Sequence, residues 1–276
     1  MKNTKSQRFK YTIRYWYKNH APALSWRETR DPYAIFVSEV MLQQTQIPRV
    51  QEKYPLFLKR FPTITHLATA PLASVLIEWQ GMGYNRRGIY LKRAAEIIQS
   101  EHGGIIPKTI HELERLPGIG PYSARAIQCF AYGICEPFVE TNIRRVIIHE
   151  FFPKKQSVAD DAILAILSSI EPQTKKREWY YALMDYGRDG LKHVPNPNRR
   201  SKGYAKQSKF EGSNRYIRAQ ILKYILANKK ATKEELFALL TDNPHIKDLS
   251  SKKYTEILAK LHKDTTLRRK GKFYMV

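Results

Sequence analysis

Two carboxylates in contrasting surroundings are the first candidates for chemistry in this chain. Glu39 lies in the run FVSEVMLQQTQ (Phe36–Gln46), flanked by apolar residues. Such flanks raise a carboxyl's proton affinity and suit it to donating a proton near neutral pH. Glu140 lies in FVETNIRRV (Phe138–Val146), beside Thr141 and Asn142. Hydrogen-bond donors there would keep it ionised and able to stabilise a positive charge. A proton donor for a leaving group and a carboxylate for a sugar cation are what breaking a glycosidic bond requires. Taken singly, each acid also has a plainer reading. Glu39 could be a surface acid on a helix, and Glu140 a helix N-cap or an ion-pair partner of Arg144.

A second feature is Leu116–Ala124, LPGIGPYSA, between helical patterns at His111–Arg115 and Tyr122–Tyr132. Gly118 and Gly120 can take positive φ and leave no Cβ in the way. The helix that follows would point its N–H groups and positive dipole end at the same place, which makes a phosphate seat from Pro117, Gly118, Ile119 and Gly120. An ordinary glycine-rich turn between helices would use the same residue types, although LPGxG before an Ala-containing helix is the more specific pattern. The total charge agrees with a polyanionic partner: 48 Lys+Arg against 25 Asp+Glu give a net +23, spread along the chain. A merely basic protein, or one that binds an anionic membrane surface, would share that total.

The elements that must position these residues read as helices. Apolar residues recur at three-to-four spacing, as in Ile35, Phe36, Val40 and Leu42, or Leu91, Ala94, Ala95 and Ile98. Thr65 and Pro71 mark helix starts, and Gly103-Gly104 before Pro107 marks a stop. The expectation is an all-α domain over residues 1–191. Residues 192–213, KHVPNPNRRSKGYAKQSKFEGS, form a basic linker with six Lys/Arg, either a solvated connection or a DNA-facing strap. Over 214–276 three helices are expected: one from Ile217, one at Thr232–Leu240 with a Thr232/Glu235 capping box, and one at Tyr254–Asp264. A hairpin turning at Lys270-Gly271 follows, so this part is winged-helix-like, a form that serves DNA or protein contacts. Cys129 and Cys135 fit no metal-ligand pattern and imply no disulfide framework. The N-terminal stretch has no apolar signal region, and no run approaches ~18 apolar residues. The expectation is therefore a protein of a reducing intracellular compartment, cytoplasmic or nuclear, with no membrane contact.

The chain resembles the helix–hairpin–helix DNA glycosylases, and within them the MutY-type adenine branch. The resemblance rests on SWRETRDPYAIFVSEVMLQQTQ (Ser25–Gln46), QGMGYNRRGIYLKRAA (Gln80–Ala95), LPGIGPYSARAI (Leu116–Ile127), VETNIRRV (Val139–Val146) and ALMDYG (Ala182–Gly187). It implies a monofunctional hydrolase, acting as a monomer, that flips a mispaired adenine out of duplex DNA opposite guanine or 8-oxoguanine. Glu39 would be the acid that protonates the base, with Glu140 and Asn142 beside it. Gln43 and Gln44 would fill the gap in the stack. Trp26 and Arg27 would lie near the base pocket. Tyr84, with Asn85, Arg86 and Arg87, would probe the opposite base and the backbone. Tyr122 stands where related lyases carry a lysine, so no amine is available for a Schiff base.

Three departures stand out. Glu140 replaces the family's aspartate. The four cysteines that usually hold an iron–sulfur cluster after ALMDYG are absent, so no cofactor is expected, and the basic linker would stand in for the cluster's DNA-contacting loop. The usual C-terminal module that reads 8-oxoguanine is not recognisable. A thymine or uracil mismatch glycosylase, and a non-catalytic DNA-binding protein on the same scaffold, remain open at this point.

Overall fold

The computed structural model describes residues 4–206, 209–247, 249–264 and 266–276. Gln207 and Ser208 of the basic segment, and the first three residues of the N-terminal stretch, lie outside the described residues. Helices dominate. In order they are α1 (Lys5–His20), α2 (Ser25–Glu28), α3 (Pro32–Leu42), α4 (Ile47–Arg60), α5 (Ile64–Thr69), α6 (Leu72–Glu78), α7 (Arg86–Glu101) and α8 (Ile110–Glu114). Then come α9 (Pro121–Tyr132), α10 (Thr141–Phe151), α11 (Asp160–Ile170), α12 (Lys176–Asp185), α13 (Asn214–Asn228), α14 (Lys233–Thr241) and α15 (Ser251–Lys263). The strands are short: β1 (Ala231–Thr232), β2 (Arg268–Lys270) and β3 (Phe273–Met275).

Side-chain caps explain many of the helix starts. Thr4 with Gln7 and Thr232 with Glu235 form reciprocal capping boxes, the second of them as the sequence implies. Thr65, read as a start, instead sits inside α5. Thr63 is the N-cap, its hydroxyl accepting from the His66 N–H. The helix end at Gly133, with φ +72°, turns the chain so that Cys135 returns to Cys129. The two form a disulfide, which the spacing of the cysteines did not disclose.

The chain divides into two compact units that interleave along the sequence. The first comprises Met1–Glu39, Pro107–Arg115 and Ile119–Lys206; the second comprises Val40–Ile106, Leu116–Gly118 and Gln207–Val276. The first is organised by α9, α10 and α12, whose buried Phe130, Phe138, Val146, Ile147, Tyr180 and Leu183 share one apolar cluster. Phe138 stacks on Tyr180 with ring centroids 4.2 Å apart. The basic segment folds onto this unit. Pro197–Arg200 form a 3₁₀ turn, Asn198 Nδ2 donates to the Thr141 carbonyl, and Arg200 donates to the carbonyls of Ile148 and Phe152 at the end of α10.

In the second unit the C-terminal helices share a core with α6 and α7. Leu76 and Ile89 cluster with Ile217, Ile221, Leu236, Tyr254 and Leu258. The strands form an antiparallel sheet in the order β1-β3-β2, with Arg269 opposite Tyr274 and Ala231 opposite Tyr274 on its other side. Among the described residues no helix is long and apolar enough to cross a membrane.

Candidate active site and DNA-reading surface

The first unit brings Glu39, Tyr122, Glu140 and Asn142 into one group. Glu39 is carried on α3 and is only 3% exposed. Its Oε2 accepts a hydrogen bond from the Tyr122 hydroxyl at 3.1 Å, and no ion pair joins it among the described residues. Burial is the main cause that pushes its carboxyl up to about 7. The Glu140 charge adds to the rise, while the Tyr122 hydrogen bond and Arg27 oppose it. Near neutral pH Glu39 is therefore poised between acid and carboxylate. Burial and the two nearby acids push the Tyr122 phenol well up, so it remains a donor.

Glu140 is the N-cap of α10. Its Oε2 accepts from the backbone N–H of Asn142 at 2.7 Å and of Ile143 at 3.4 Å, and its Oε1 accepts from Asn142 Nδ2 at 3.2 Å. Arg144 pairs with Asp160 instead, bidentately at 2.7 and 2.8 Å. The sequence reading had Glu140 held ionised by its donors. Burial in fact raises its carboxyl above the ordinary value, with the donors of Asn142 and Ile143 pulling the other way. Three donors and a helix N-terminus face Glu140, against one donor for Glu39, so its carboxylate form has the better-furnished surroundings of the two.

Two residues that sequence reasoning did not single out hold this group. Asp185, wholly buried, forms a fork with Arg27 through both carboxylate oxygens and also pairs with Arg188. The Arg27 guanidinium lies 4.4 Å from the centre of the Tyr181 ring. Trp26, placed by sequence near the pocket, is 2% exposed. At Gly187 a Cβ would stand 2.2 Å from the Asn142 carbonyl oxygen, so any side chain would displace the turn that presents Asn142 to Glu140. ALMDYG is thus a supporting element of the acid pair, and only a three-dimensional contact discloses that.

Between α8 and α9 the hairpin takes the expected form with one change. Gly118 has φ +80°, and a Cβ there would lie 3.0 Å from that of Tyr90. Gly120 is extended, at φ −98°, and nothing lies within 4 Å of the space a Cβ would fill. Only the first glycine needs the left-handed region; the second leaves an open approach. Gly120 has no side chain to cap α9, which suits this helix end to an outside anion. The Ile119 side chain is buried, so only its backbone can take part.

The second unit assembles the other predicted residues around Arg87. Its guanidinium turns inward. Nη1 donates to the carbonyls of Val40 and Met41, and Nη2 to Thr45 Oγ1 and the carbonyls of Met82 and Gly83, at 2.7–3.1 Å. It therefore clamps two turns together and does not reach for phosphate. Both turns carry a residue in the left-handed region, Gln44 at φ 55° and Tyr84 at φ 46°. Such conformations persist where surrounding contacts enforce them. Gln44 is exposed, and Gln43 donates to the Gly118 carbonyl at 3.1 Å, tying this turn to the hairpin. Asn85 precedes α7, and exposed Arg86 pairs with Asp264.

A family profile described as the HhH-GPD superfamily base excision DNA repair proteins matches residues 37–172, a span that holds Glu39, the hairpin and Glu140. An adenine DNA glycosylase of Mycolicibacterium smegmatis is 34% identical over 226 residues, covering 75% of this chain and 76% of its own length. The chain belongs to the HhH-GPD superfamily. An adenine DNA glycosylase of Mycobacterium tuberculosis is 38% identical over 62% of this chain, which spans 58% of that relative. Among solved structures, a thermostable thymine-DNA glycosylase superposes with TM-score 0.62 at 25% identity, over 70% of this chain and 90% of that one. An endonuclease III–DNA complex does so with TM-score 0.58 at 18% identity, over 69% and 89%. The all-α glycosylase architecture read from the sequence is therefore the architecture found.

The superfamily's iron–sulfur cluster does not fit the residues present. The stretch after ALMDYG offers Leu191, Asn198 and Ser201, and no thiolate. Asn198 is buried and donates through Nδ2 to the Thr141 carbonyl, and the Ser201 backbone bridges to Val158. The chain's two cysteines are joined to each other.

Proposed function

We propose that this base-excision repair protein is a monofunctional adenine DNA glycosylase. It would hydrolyse the N-glycosidic bond of an adenine flipped out of a mispair with guanine or 8-oxoguanine, and it would do so without an iron–sulfur cluster. The observation that carries the reading is Glu39, a buried carboxyl with a hydrogen bond from Tyr122 and a proton affinity near neutrality. As the C–N bond breaks, its electron pair leaves with the base and Glu39 supplies the proton. Glu140, held at the N-terminus of α10 by the donors of Asn142 and Ile143, would in its carboxylate form face the positive charge that develops on the sugar. Water adds to the sugar carbon and gives its proton back to the carboxylate. Tyr122 holds Glu39 and offers no amine for strand cleavage through a Schiff base. The hairpin grips the phosphate backbone of the same duplex. The names of the relatives favour adenine as the excised base.

The test is a panel of duplexes carrying A, T or U opposite 8-oxoguanine, guanine or cytosine. Abasic sites are revealed by alkali, and strand breaks are scored without it. Release of adenine alone, with breaks only after alkali, is the expected outcome. Release of thymine or uracil in its place would reassign the substrate, breaks without alkali would make the enzyme a lyase, and intact duplexes throughout would leave a DNA-binding scaffold.

A further inference from the structure

The Cys129–Cys135 disulfide takes no part in the chemistry described above, yet it joins the two segments that carry Tyr122 and Glu140. Cys129 lies on the same face of α9 as Tyr122, about two turns further on. The helix ends at Gly133, whose positive φ turns the chain back. Residues 134–139 then return along it. Cys135 meets Cys129 at the start of the return. Further on, the Phe138 ring stands 6.1 Å from that of Phe130 and 5.8 Å from that of Tyr122. The return finishes at Glu140, whose charge raises the proton affinity of both Tyr122 and Glu39.

Few contacts fix this return. Among the described residues, none of 134–139 takes part in a backbone-to-backbone hydrogen bond. Besides the packing of Phe138 on Tyr180 and of Val139 on the same cluster, Lys176 Nζ donates to the Cys135 carbonyl at 3.5 Å. A ring can slide on its neighbour and a lysine can follow its acceptor. Only the covalent link fixes the register of the return against α9. The turn it closes is open to solvent: Gly133, Ile134 and Glu136 are exposed. Cys135 is the more accessible of the pair, at 9% against 0% for Cys129.

We propose that the Cys129–Cys135 disulfide is a redox-controlled brace that positions Glu140: closed, it seats the carboxylate beside Glu39 and Tyr122; open, it frees residues 134–140 and slows base release. This rests on the glycosylase reading above. Opening is thiol–disulfide exchange. A small-molecule thiolate attacks the Cys135 sulfur and forms a mixed disulfide, while Cys129 leaves with the bond's electron pair and takes up a proton. A second small-molecule thiolate attacks the small-molecule sulfur of that mixed disulfide. Cys135 is released and protonated, and the two small thiols leave as one disulfide. The reverse sequence, with a small-molecule disulfide as oxidant, closes the brace. Conversion of guanine to 8-oxoguanine is also an oxidation, so conditions that make the lesion favour the closed and faster form.

The test uses the full chain equilibrated with glutathione disulfide or with dithiothreitol, its free thiols measured by alkylation and mass. Reduction is expected to slow single-turnover adenine release opposite 8-oxoguanine about tenfold, less than the ~100-fold of a full 1 Å misplacement, with duplex affinity unchanged. Cys129→Ser and Cys135→Ser should match the reduced protein and respond to neither reagent. The native comparison needs no variant to fold. Equal rates in the two states, cysteines that do not join in the oxidant, serine variants as fast as the closed protein, or a loss of duplex affinity matching the loss of rate would each overturn the proposal. Should the native protein release no base in either state, the glycosylase reading fails separately. The brace is then read by hydrogen exchange: faster exchange on reduction confined to residues 134–143 supports it, and unchanged exchange there refutes it.

Discussion

Glu39 and Arg87 are both buried ionisable groups, and the molecule treats them in opposite ways. Arg87 has no acid among its hydrogen-bond partners, yet its two terminal nitrogens are satisfied by five neutral oxygens. Burial lowers its proton affinity only to about 10, so it stays charged at any working pH and serves as a fixed joint between two turns. Glu39 receives one hydrogen bond, and burial carries it to about 7. A buried ion given many partners becomes scaffold. One given few becomes a group that changes protonation state where a reaction can use it.

The largest effect is expected at Glu39. Glu39→Gln should lower base release ~10³-fold, within the usual contribution of a general acid, with duplex affinity retained in a binding assay. The same variant separates chemistry from stability. The folded carboxyl binds its proton more tightly than the unfolded one, so its stabilising contribution is complete below the ordinary value of 4.5 and is lost as pH rises to about 7. At ~1.4 kcal/mol per pH unit, that rise corresponds to about 3 kcal/mol. Glu39→Gln should therefore melt higher than the native protein at pH 8 and show little difference at pH 4.5. Arg87→Ala should instead lower stability without a pH dependence over this range. Stranding several carbonyls is expected to destabilise by ~3 kcal/mol at every pH, read by denaturant titration, and Arg87→Lys should recover only part of it because a point cation cannot bridge both turns.

Glu140→Asp is next. The native carboxylate already meets three donors in place, so shortening it by one methylene should withdraw it from the reacting sugar, with a loss of ~100-fold in single-turnover rate. A rate gain would instead mean that glutamate there handicaps the enzyme. Tyr122→Phe is the smallest, a loss within ~10-fold. It removes the donor that holds Glu39 down, so the alkaline limb of the pH profile should move upward.

Much of this comparison was legible along the chain. FVSEVMLQQTQ marked Glu39 by its apolar flanks, LPGIGP marked the hairpin, and Thr232 with Glu235 marked a helix start, because each depends on near neighbours. The supports were not legible. Asp185 meets Arg27 across 158 residues, and Arg215 meets Tyr84 across 131. Arg87 reads as a DNA-facing cation beside Arg86 until the fold turns it inward. Gly187 matters only because the Asn142 carbonyl arrives against it. Glu140 was legible as an N-cap, but its partial burial was not, so its raised proton affinity came only with the structure.

The central claim is that Glu39 acts as a proton donor set near neutrality by burial. It is tested most directly by the pH dependence of single-turnover adenine release from an A·8-oxoguanine duplex. The account predicts a bell, with an alkaline limb near pH 7 that Glu39→Gln abolishes together with the rate and that Tyr122→Phe shifts upward. A rate that stays flat from pH 6 to 9, or a Glu39→Gln variant that retains the native rate, would contradict it.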